Sequence, residues 1–124
     1  MRLFFLVVLL SAPLAAARQA FECNVFRFCH LDDPCRNPPI EALIELTIDA
    51  NDRSATYSPR GGDSLQLTQV DGSLPETLHY VGKDAGAGAV FLSLFPSRLA
   101  IFVHHSLVED IPGSITLLTR CEET

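Results

Sequence analysis

The chain has 124 residues, with fifteen acidic side chains against nine basic ones and a formal net charge of −6. Only one of the basic residues, Lys83, is a lysine. This balance argues against a nucleic-acid partner, whose phosphates are neutralised by Lys and Arg, and against an anionic membrane surface. The length suits one small domain.

The first segment, MRLFFLVVLLSAPLAAA, places Arg2 before an apolar run from Leu3 to Leu10 and closes on Ala15-Ala16-Ala17. Positive, apolar and small-residue regions in that order predict a cleaved secretory signal peptide over residues 1–17. Arg18 is then the first residue of a single domain over residues 18–124. Loss of Arg2 takes the formal charge from −6 to −7. The apolar run falls short of the roughly 20 residues that span a bilayer. The expected location is periplasmic or secreted, with no transmembrane segment after cleavage.

All four cysteines, Cys23, Cys29, Cys35 and Cys121, lie in the exported part. An even count in an oxidising compartment predicts two disulfides. If Phe21 to Phe28 is extended, Cys23 and Cys29 lie about 20 Å apart at about 3.3 Å per residue. A bridge needs Cα atoms within roughly 7 Å. His30-Leu31-Asp32-Asp33-Pro34 supplies turn formers between Cys29 and Cys35. The preferred pairing is Cys29 with Cys35 and Cys23 with Cys121; Cys23 with Cys35 and Cys29 with Cys121 is the rival.

No long helix-period segment follows, whereas short alternating or apolar runs recur between turn signals. Glu41 to Ala50 sets Ile44, Leu46 and Ile48 against Glu45, Thr47 and Asp49, the pattern of a half-buried strand. Ala55 to Ser58 is a short strand stopped by Pro59. Arg60-Gly61-Gly62-Asp63 is a reversal, and Leu65 and Leu67 begin a strand that ends at Asp71-Gly72. Thr77 to Val81 ends at Gly82, and Lys83 to Ala89 is a Gly-rich, mobile loop tip. Val90 to Phe95 and Leu99 to His104, joined by Pro96-Ser97-Arg98, are apolar on both faces and are expected to be central strands covered on both sides, or to face a partner. Ile115 to Cys121 is the last strand, after Pro112-Gly113. The fold class is all-β: an antiparallel meander of about seven or eight short strands, stapled by disulfides and closed into a barrel or folded into a sandwich.

The chemistry-bearing residues do not assemble into a known motif. Cys29 to Cys35 lacks the spacing of structural zinc, and oxidised cysteines do not ligate. Asp32 and Asp33 lack the Gly and Glu positions of a calcium loop. His104 and His105 point to opposite faces of a strand and cannot hold one ion together. His79 is expected to face solvent. No Gly-x-Ser-x-Gly elbow occurs, Gly82, Gly86 and Gly88 lack the Gly-Lys-Ser/Thr ending of a phosphate loop, and Glu109-Asp110 and Glu122-Glu123 are sequence neighbours that nothing sets across a substrate. No catalytic residue, metal or cofactor is therefore assigned.

Phe21-Glu22-Cys23, the evenly spaced Cys29 and Cys35, and the closing Thr119-Arg120-Cys121-Glu122 resemble a group of small exported alphaproteobacterial proteins with four cysteines and no assigned activity. An early cysteine paired with one at the end of a small β domain is more distantly similar to the C-type lysozyme inhibitors of the periplasm. The Ser-Gly-containing inhibitory segment of that family is not reproduced by Gly72-Ser73-Leu74 or Arg60-Gly61-Gly62. The expected function is non-enzymatic binding of an envelope protein or a small apolar ligand. The alternatives are a hydrolase of envelope polymers and a lysozyme-inhibitor-like protein.

Overall fold

The computed structural model describes residues 18–38, 42–60, 62–83 and 88–124. The predicted signal peptide, residues 1–17, lies outside them. Eight antiparallel strands in sequence order close into one barrel: β1 (Arg18–His30), β2 (Ala42–Asp49), β3 (Ser54–Pro59), β4 (Leu65–Val70), β5 (Leu78–Lys83), β6 (Ala89–Leu94), β7 (Leu99–Val108) and β8 (Ile111–Glu123). The all-β meander is thus a barrel, not a sandwich.

Alternation builds the wall. Phe21, Cys23 and Val25 of β1 are buried while Glu22 and Asn24 are exposed, and Ile44, Leu46 and Ile48 of β2 are buried around exposed Glu45. A period of two sends one set inward and the other to solvent. Leu46, Leu67, Tyr80, Leu92 and Phe102, each no more than 1 % exposed, fill the centre. An eight-stranded barrel is just wide enough for its own side chains to fill it or for one small ligand.

The seam is β1 against β8. Their register sets Cys23 opposite Cys121, and those two residues are bridged. The second disulfide joins Cys29 to Cys35 and closes the loop after β1. Backbone bonds in both directions between Phe28 and Arg36 brace the same loop. The preferred pairing therefore holds.

Three expectations change. First, β1 carries a bulge between Val25 and Arg27. One extra residue reverses the alternation beyond it: Phe26 faces out, 42 % exposed, as Glu22 and Asn24 do, Arg27 is exposed as well, and Phe28 pairs across from inward Leu117. Second, β7 and β8 run further than expected. Pro112 and Gly113 lie within β8, opposite Leu107 and Ser106, and Glu109 and Asp110 form a two-residue turn with φ of 50° and 64°. Positive φ at both central residues matches the twist of paired strands. Proline is tolerated there because the pairing of β8 with β1 stops at Ile115, leaving this stretch bonded only to β7. Third, Gly82 sits inside β5 and does not end it; a Cβ there would lie 2.5 Å from Leu67 Cδ2 and 2.8 Å from the Gln66 carbonyl. The loop tip expected after Lys83 falls largely on residues 84–87, outside those described.

The two bridges should differ in worth. Cys23 and Cys121 lie 98 residues apart and Cys29 and Cys35 only 6, and loop-closure entropy grows with the logarithm of loop length, giving about 4.7 and about 2.4 kcal/mol. The Cys23→Ala/Cys121→Ala variant should therefore lose roughly twice the unfolding free energy lost by Cys29→Ala/Cys35→Ala, measured by denaturant titration.

Candidate mouth pocket

The two ends of the barrel are built differently. At the end where β1 begins, Arg18 pairs with Asp49 at 3.2 Å, Arg53 with Asp71 at 2.9 Å and Arg98 with Glu123 at 3.3 Å. Arg98 also lies over the Phe21 ring, 5.6 Å from its centroid, and its carbonyl accepts the Cys121 N–H. The Asp49 carboxyl accepts backbone N–H groups from Asp52 and Asn51. That backbone contact with Asp52, together with Arg18, holds its pKa below the ordinary carboxylate value. Phe21, Ile48 and Leu94 are buried just inside this end.

The opposite end holds a concavity of about 420 Å³. Its walls are Val25 and Phe28 from β1, Ala42 and Ile44 from β2, Tyr57 from β3 and Leu117 from β8, with Pro38, Leu43, Pro59 and Arg60 around the rim. Phe28 reaches this wall only because of the β1 bulge. Arg60 is fixed at the rim by its backbone N–H, which donates to the Leu43 carbonyl at 3.1 Å. Among the described residues its guanidinium enters no ion pair. The size and the mostly apolar lining with few polar groups are those of small-molecule sites.

Tyr57 gives the pocket a polar group at its inner end. Its ring packs on Phe102, centroids 4.9 Å apart, and its hydroxyl shares a hydrogen bond with His104 Nε2 at 3.2 Å. Burial pushes the Tyr57 phenol up to about 12. His105 faces outward and lies against Phe91, centroids 5.4 Å apart. The adjacent histidines do separate to opposite faces. His79 departs from expectation: it is half-buried, its Nδ1 shares a 2.8 Å hydrogen bond with Ser93 Oγ, and Gly72 packs on its ring so closely that a Cβ would meet His79 Cδ2 at 2.2 Å. Asp32 and Asp33 are exposed. Among the described residues no group of three or more His, Cys, Asp or Glu is placed to hold a metal ion.

The apolar runs of β6 and β7 do not enclose this pocket. Val90, Leu92, Leu94, Ala100 and Phe102 pack solidly inward. Their outward neighbours are only partly covered: Phe91 is 41 % exposed, and Ile101 and Val103 are half-buried. A closed barrel has one inner face per strand, so the expectation of cover on both sides fails for β6 and β7. Phe28 and Arg60 were not legible as pocket residues, the first because the bulge defeats simple alternation and the second because it reads as a turn residue.

No protein-family model matches the chain, and no curated protein and no solved structure matches it. The two disulfides suit an oxidising, non-cytoplasmic environment. No helix among the described residues is long and apolar enough to cross a membrane.

Both tyrosines should resist ionisation. Tyr57 is 3 % exposed and Tyr80 1 %, and burial raises both, with Arg53 opposing the rise at Tyr80. A phenol that holds its proton more tightly when folded contributes stability that is complete below the unfolded value near 10 and is lost as pH rises through the folded one. Tyrosinate absorbance of the native protein should therefore stay low at pH 10, where the denatured chain is half ionised, and unfolding free energy should fall between pH 10 and about 12.

Proposed function

We propose that this is an exported, non-enzymatic binding protein of the periplasm or extracellular space whose barrel mouth takes one small apolar ligand. The observation that carries the reading is the concavity of about 420 Å³ bounded by Val25, Phe28, Ile44, Tyr57 and Leu117. Removing apolar ligand surface from water there contributes about 25 cal/mol per Å² before the cost of immobilisation. The signal-like segment over residues 1–17 and the paired cysteines support the location.

A second reading has its own support. The outer faces of β6, β7 and β8, with the β1 bulge, offer Phe91, Ile101, Leu118 and Phe26 beside an apolar groove of about 310 Å³ lined by the last three, Phe95 and Leu99. Apolar patches of this kind mark protein contacts when they are contiguous, and an envelope protein would be the partner.

Octanol, an uncharged probe, separates the two. In a chemical-shift titration it should saturate at one site per chain. Ala42→Trp, which fills the mouth, should weaken binding by at least about tenfold, equivalent to 1.4 kcal/mol, while cooperative unfolding is retained. Unchanged octanol affinity in the folded Ala42→Trp protein would remove the mouth as the site.

A further inference from the structure

We infer that the mouth selects an amphipathic anion: an apolar body seated against Phe28, Ile44 and Leu117, with a carboxylate held at the rim by Arg60. The inference rests on the reading of the mouth as a ligand site and adds the ligand's charge. Three arginines at the far end are engaged with Asp49, Asp71 and Glu123, and Arg120 lies over the Phe26 ring, 5.7 Å from its centroid. Arg60 instead lines the apolar concavity, its backbone bonded to Leu43, with no ion pair among the described residues.

Chemistry at the rim then favours a carboxylate. Guanidinium presents a planar fork of donors that matches a carboxylate in a two-bond arrangement. The chain as a whole carries −6, so its general field repels an anion. Preference for an anion over its uncharged analogue must therefore come from a local cation. Tyr57, at the inner end, is neutral across the physiological range because burial raises its phenol to about 12, so it sets no negative charge against a bound anion.

The test compares octanoate with octanol at pH 7 and low salt, both below any aggregation threshold, on the full exported domain. Octanoate should bind about fivefold more tightly than octanol, the scale of a partly solvated ion pair. Arg60→Gln should erase that preference, so that octanoate binds no more tightly than octanol, while a denaturant titration shows that the variant still unfolds cooperatively. Arg18→Gln, with the same change in net charge at the far end, should keep the preference. Equal binding of octanoate and octanol by the unaltered protein would overturn the anion inference while leaving the mouth as an apolar site, as would an equal effect of Arg60→Gln and Arg18→Gln. Failure of both probes to bind would overturn the inference and the ligand reading together.

Discussion

The pairing of β1 with β8 is the constraint on which the rest depends. These are the first and last described strands, so their contact turns an eight-stranded ribbon into a closed barrel. Closure gives every strand one inward and one outward face and leaves no long unpaired edge, the feature that makes open sheets prone to association. The Cys23–Cys121 bridge fixes the register of that seam, since a slip of one residue would send Phe21, Val25 and Thr119 to the wrong face. Thr119 shows what the register protects: only 1 % exposed, it satisfies its hydroxyl by donating to the Ala100 carbonyl at 3.0 Å.

From the same seam comes the difference between the two ends. Where β1 starts, alternation is regular, Phe21 closes over the core, and three arginine–carboxylate pairs tie neighbouring segments. Further along β1 the bulge at Phe26 interrupts the pairing with β8 and brings Phe28 into the interior beside Leu117. One inserted residue thus converts a wall that would have continued unchanged into one side of a concavity. The exposed ion pairs each contribute little to stability. Arg18, Arg53 and Arg98 are engaged at that end, whereas Arg60 lines the mouth.

Much of this was readable from residue order. Ile44, Leu46 and Ile48 alternate with polar neighbours, so β2 and its buried face follow from period alone. Turn formers between Cys29 and Cys35 separate the local bridge from the long one. The bulge was not readable, because Val25-Phe26-Arg27-Phe28 satisfies an uninterrupted strand as well as a broken one. Pro112-Gly113 looks like a stop, and it lies within β8 only because one side of that stretch has no partner. Glu109-Asp110 carries no glycine to announce its left-handed turn. The double-sided apolarity of β6 and β7 fits a buried parallel sheet as well as a barrel wall with an apolar exterior, and only closure decides between them. His79 reads as solvent-facing because the loop through Gly72 that covers it is distant in the local pattern.

The proposed ligand site is the concavity that closure of the barrel and the β1 bulge form at the mouth, not the outer wall. Isotope-edited nuclear Overhauser contacts between bound octanol and assigned protein methyl groups test this most directly. The account predicts contacts to Val25, Ile44 and Leu117, which line the mouth. Contacts confined to Leu99, Ile101 and Leu118, which line the outer groove, would contradict it.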